Sequence, residues 1–172
     1  MKKIIHTFLI IIVSISLYGQ SAETLNSRGF RQAKKGNYQK AITLFTKAIA
    51  DDGYCTDAYY NRALAYSYLK AYQQSISDYT RAIELKSRFK LAYNNRGADK
   101  NELQDYTGAI EDYSMAIQID SNYARAYYNR GISQMNLNRY EKAIADFTKA
   151  IELEPDYKEA YQNREIALQK FR

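Results

Sequence analysis

AYYNRA at residues 58–63, AYNNRG at 92–97, AYYNRG at 126–131 and AYQNRE at 160–165 are four spellings of one hexapeptide, spaced 34 residues apart. Counted from Ala22, new units open at Thr56, Lys90, Ala124 and Lys158 without a gap. A period of this length marks a small structural unit that cannot bury its apolar face alone and must stack on copies of itself. Four units (22–55, 56–89, 90–123 and 124–157) and a tail (158–172) use up the chain beyond residue 21, so one elongated domain is expected.

The spacing inside the units is helical. In the second half of the fourth unit Ala143, Ile144, Phe147, Ala150 and Ile151 recur at the intervals that mark one buried helix face. The earlier units match them with Ala41, Ile42, Phe45, Ala48 and Ile49, then Ser75, Ile76, Tyr79, Ala82 and Ile83, then Ala109, Ile110, Tyr113, Ala116 and Ile117. Short breaks at Gly36-Asn37, Lys70-Ala71, Gln104-Asp105 and Asn138-Arg139 separate this helix from an earlier one. Each unit therefore reads as a helical hairpin, and the fold class is all-α, an α-solenoid of stacked antiparallel hairpins. An apolar content of 46% with one Pro agrees with a folded helical domain.

At these residues the chain resembles the tetratricopeptide repeat family over residues 22–157. Gly29, Ala63, Gly97 and Gly131 stand where that family places small residues on first helices, facing Ala41, Ser75, Ala109 and Ala143 on second helices, with Phe45, Tyr79, Tyr113 and Phe147 beside the crossing. The resemblance implies a right-handed superhelix with first helices on its concave face. Only the fourth unit has the closing proline, Pro155. Gly108, inside an expected helix, should cost about 1 kcal/mol relative to Ala and soften the third unit. The tail copies a first helix and is expected to cap the stack, with Glu165 where the other units have Gly or Ala.

Three polar columns recur. Asn61, Asn95, Asn129 and Asn163 share one offset, with Ser27 in the first unit. The resemblance implies an asparagine ladder that holds an extended peptide, since an Asn side chain both donates and accepts. Beside it run Tyr60, Asn94 and Tyr128, and one turn on come Phe30, Leu64, Ala98 and Ile132. The expected peptide-binding residues are Asn61, Asn95, Asn129, Asn163, Tyr60, Asn94, Tyr128 and Phe30. The other two columns, Arg28, Arg62, Arg96, Arg130 and Arg164 against Asp78, Asp112 and Asp146, imply ion pairs that set register. The spacing leaves open whether each pair lies within a unit or between units.

Several functions are disfavoured. The one His, His6, falls in the leading segment; no Gly-rich phosphate loop is present, and Cys55 has no base beside it. No enzyme, metal site or cofactor is expected. Basic residues outnumber acidic ones by 25 to 19, but they are mixed with Asp and Glu in every unit, so no nucleic-acid partner is expected either. The cationic clamp with which some tetratricopeptide proteins hold chaperone tails is not expected, because its positions are Asn26, Phe30, Leu91 and Asn95.

Residues 1–21 have a basic start, Lys2 and Lys3, an apolar run from Ile4 to Leu17, and a small or polar end. This is the layout of a secretory signal peptide, with cleavage expected after Gly19, Gln20 or Ala22. The run is shorter than the roughly 20 residues of a membrane span. An exported bacterial protein, periplasmic or secreted and not inserted in the membrane after cleavage, is expected. Its function would be to bind a partner's peptide in the concave groove; the alternative is a structural subunit that docks through its convex face or ends.

Overall fold

The computed structural model of the chain describes residues 21–172. The signal segment expected at 1–21 lies outside the described residues except for Ser21, whose hydroxyl accepts from the Thr24 N–H at the start of the first helix. Nine helices follow among the described residues: α1 (Ala22–Lys34), α2 (Tyr38–Asp51), α3 (Thr56–Tyr68), α4 (Tyr72–Leu85), α5 (Lys90–Glu102), α6 (Tyr106–Ile119), α7 (Ala124–Asn136), α8 (Tyr140–Leu153) and α9 (Lys158–Phe171). Each first helix packs on its second helix and each hairpin on the next, with no strand among these residues. The all-α solenoid implied by the period is the observed architecture. None of these helices is long and apolar enough to cross a membrane.

The turn inside each hairpin is built one way four times. Gly36, Lys70, Gln104 and Asn138 take φ of 77°, 57°, 62° and 56°. The next residue's N–H then reaches back five residues: Asn37 to the Gln32 carbonyl, Ala71 to Tyr66, Asp105 to Lys100 and Arg139 to Gln134. This is the Schellman closure, which satisfies carbonyls that the ending helix would leave unpaired. Only the first unit has Gly at the left-handed position, so Lys70 and Gln104 bear a steric cost of about 1 kcal/mol each.

The hairpins close on an aromatic ring laid over a small residue. Phe45, Tyr79 and Phe147 are fully buried and Tyr113 nearly so. A Cβ placed on Gly29, Gly97 or Gly131 would come within 2.5, 2.9 and 2.6 Å of the facing ring. The second unit carries Ala63 against Tyr79, so the crossing adapts to a methyl group. Gly108 sits in the first turn of α6, where its N–H donates to the side chain of the N-cap residue, Asp105 Oδ1, at 3.0 Å.

At the far end α9 buries Ala160 and Ala167 on α8, beside Phe147 and Ile151, and leaves Glu165 exposed. Cys55 is half-buried against Ala48 and Ala58, and burial pushes its thiol above the ordinary value, which makes it a packing residue.

Replacing Gln104 with Gly should raise unfolding stability by about 1 kcal/mol in urea titration, because only Gly adopts that backbone without strain. Gly131→Val should lower it by about 2 kcal/mol, since a branched side chain cannot share the crossing with Phe147.

Candidate binding groove

Successive first helices (α1, α3, α5, α7, α9) touch one another, whereas successive second helices do not. The stack therefore curves with the first helices on its inner side. The expected binding residues all lie on these helices, and the structure divides them by burial and by partner.

The asparagine column is engaged across the repeat boundaries. Asn61 Nδ2 donates to Asn26 Oδ1 at 3.0 Å, Asn95 to the Tyr60 hydroxyl at 3.0 Å, Asn129 to Asn94 Oδ1 at 3.1 Å and Asn163 to the Tyr128 hydroxyl at 3.0 Å. Each bond joins one first helix to the next, so the column sets register. Each amide keeps a second N–H, and Asn61, Asn129 and Asn163 also keep a carbonyl oxygen with no protein partner among the described residues. Asn94 leaves the expected ligand-facing set. It is 1% exposed, and its own Nδ2 donates to Asn95 Oδ1. Tyr60 and Tyr128 are half-buried, in tilted ring contact with Phe89 and Tyr157 at 4.7 Å, and burial holds both phenols above the usual range. Their hydroxyls accept from Asn95 and Asn163 on the next first helix, so both are committed to the contact between repeats. Phe30 remains 45% exposed.

The arginine column pairs within units. Arg62, Arg96 and Arg130 each grip Asp78, Asp112 and Asp146 through two nitrogens at 2.6–2.9 Å. The third nitrogen donates backward to Thr46, Thr80 and Ser114 on the preceding second helix. Each guanidinium also lies over the ring of Tyr59, Tyr93 or Tyr127. One planar fork thus ties three helices together, a geometry lysine cannot supply. Arg164 on the capping helix repeats only the ring contact, with Tyr161.

Two cavities open on the inner face. The first, about 310 Å³, lies between α1, α2 and α3 and is lined by Phe30, Tyr38, Phe45, Asn61, Leu64 and Tyr68 among others. It is mostly apolar. Tyr68, 67% exposed, stacks on Tyr38 with ring centres 4.8 Å apart. The second, about 220 Å³, shares Leu64 and Tyr68 with the first and adds Tyr79, Asn95 and Asp99. Asp99 is 3% exposed and accepts from the hydroxyls of Ser67, at 2.7 Å, and Ser75. Sequence reading passed over it. The signal was there: the same offset is Arg31, Ala65, Ser133 and Ala167 in the other copies. No group of His, Cys, Asp and Glu that could hold a metal occurs among the described residues.

Burial holds the Asp99 carboxyl above the usual range, against the two serine hydroxyls that pull it down; Glu102 adds to the rise. A raised native pKa means that the folded state binds this proton more tightly than the unfolded state. The ionised form therefore costs stability at neutral pH, and the cost fades as pH falls through the native pKa. Asp99→Asn should be more stable than the parent at pH 7, with the gap closing toward acid pH in urea titrations. A gap independent of pH would contradict this account.

A tetratricopeptide repeat model matches residues 56–89 and 124–157, and a second TPR repeat model matches 100–138; together they span more than half the chain. The Arabidopsis OM64 TPR domain is 31% identical, covering 66% of this chain and 94% of that one, with a TM-score of 0.65. The MamA protein is 22% identical over 87% of this chain and 81% of its own, with a TM-score of 0.83. YrrB, described as a TPR protein with an unusual peptide-binding site, is 17% identical over 86% of this chain and 76% of its own, at 0.76. No curated protein sequence matches. The repeated ring-on-glycine crossings, the nine helices stacked among the described residues and these matches agree: the chain belongs to the tetratricopeptide repeat family.

Proposed function

We propose that this protein is a non-enzymatic adaptor or scaffold of the cell envelope that holds an extended peptide segment of a partner along its inner face. Tetratricopeptide domains are protein interaction modules. The observation that carries the reading is the apolar cavity of about 310 Å³ at the first repeat boundary, with Phe30 and Tyr68 exposed at its edges. Large aromatic side chains left at the mouth of a pocket are the usual anchors of a peptide side chain. The asparagine column continues beyond it, and its remaining amide hydrogens and carbonyl oxygens match the alternating groups of an extended backbone. Placement in the envelope rests on the signal-like composition of residues 1–21.

The asparagines hold repeats together, so the test belongs on the aromatic edge. A random peptide library displayed on phage should yield binders to the intact domain. The double variant Phe30→Ala, Tyr68→Ala should weaken a selected peptide about tenfold or more in fluorescence anisotropy while melting near the parent temperature. Unchanged affinity would rule this groove out.

A further inference from the structure

The second cavity holds two departures from the repeat, Asp99 and Ser75, and a tyrosine, Tyr79, at an offset that is either Phe or Tyr. At the offset of Asp99 the other copies carry Arg31, Ala65, Ser133 and Ala167; at Ser75 they carry Ala41, Ala109 and Ala143; at Tyr79 two of them carry Phe45 and Phe147 and one carries Tyr113. Nothing in the packing of the hairpins requires a carboxylate or either hydroxyl, as those copies fold without them. Yet the three side chains converge. Ser75 donates to Asp99, Tyr79 lines the same cavity as Asp99, and Ser67 fixes the other carboxylate oxygen.

Two groups there are incompletely partnered. Among the described residues the Tyr79 hydroxyl is buried without a hydrogen bond of normal geometry, although Ser75 and Asn95 stand beside it, and Asp99 forms no ion pair. Arg125 lines the cavity but is itself exposed, and it makes no ion pair with Asp99. A buried carboxylate held by hydroxyls alone keeps one acceptor site on each oxygen, and a phenol oxygen also accepts. The unmet demand is for a donor that carries positive charge.

We propose that this cavity receives the cationic side chain, a lysine ammonium or an arginine guanidinium, of the peptide that lies in the groove; the inference rests on the groove reading above. At about 220 Å³ the cavity is smaller than the usual ligand pocket of about 300–1,000 Å³ and suits one side chain. The aliphatic stem lies along Leu64 and Tyr68, and the charged head meets Asp99 and the Tyr79 hydroxyl. Because Leu64 and Tyr68 border both cavities, an apolar residue in the first and a basic residue in the second belong to one short stretch of peptide.

The protein is itself basic, with a net charge of +6, so unspecific attraction favours acidic peptides. Enrichment of basic ones is therefore a local signal. Phage selection from a random peptide library is run on the intact domain and on Asp99→Asn, whose folding is checked by thermal melting. Lysine or arginine enriched on the parent and not on the variant is the expected result. A selected peptide with its basic residue changed to norleucine should bind the parent about tenfold more weakly, with no such loss on Asp99→Asn. Peptides with no basic preference, or the same preference on both proteins, overturn the inference; if those peptides still need Phe30 and Tyr68, the groove stands. No enriched peptide at all overturns both. Should Asp99→Asn fail to fold, Tyr79→Phe, which copies the first and fourth units, replaces it and should reduce the basic preference; an undiminished preference counts against the assignment.

Discussion

An aromatic ring pressed onto a residue with little or no side chain is the contact on which the rest of this structure depends. At Gly29, Gly97 and Gly131 the ring of the partner helix occupies the space where a Cβ would stand. That approach brings the two helices of a hairpin close enough for Ala41, Ala109 and Ala143 to be wholly buried between them. With the hairpins shut, each offers one face to the next copy, and the chain stacks because the exposed apolar stripe has no other cover.

Close crossing sets the distance between helices but not the registration of one repeat on another. Polar groups supply that. The Arg fork binds an aspartate in its own hairpin and a hydroxyl in the preceding one, while each Asn bonds a residue 35 positions earlier. Both columns cross the interior at half-buried positions, where an unpaired group is costly and a slipped register would leave many unpaired at once. The asparagines therefore serve as fasteners whether or not a ligand is present, and they retain hydrogen-bonding capacity toward one.

The inner face is not uniform along its length. An apolar recess at the first repeat boundary adjoins a recess containing a buried carboxylate at the second. This asymmetry comes from residues that break the repeat, and it gives a symmetric scaffold a direction. Burial raises the Asp99 carboxyl above its ordinary range while two serine hydroxyls pull it down, and in this recess that carboxylate sits without an ion pair among the described residues.

The sequence by itself determined the fold class, the hairpin units, the small crossing residues and the capping helix, because a 34-residue period and a 3.6-residue apolar spacing depend only on local geometry and composition. It also located the Asn and Arg columns. What it left open was partnership, which depends on which side chains meet across a turn or a stacking interface. Only the tertiary structure decided that each Arg serves its own hairpin, that Asn94 is buried while Phe30 is not, that Gly108 receives a cap, and that Ser67, Ser75, Tyr79 and Asp99 share one cavity. Those residues lie up to 32 positions apart in sequence, on three helices, and no local pattern encodes their meeting.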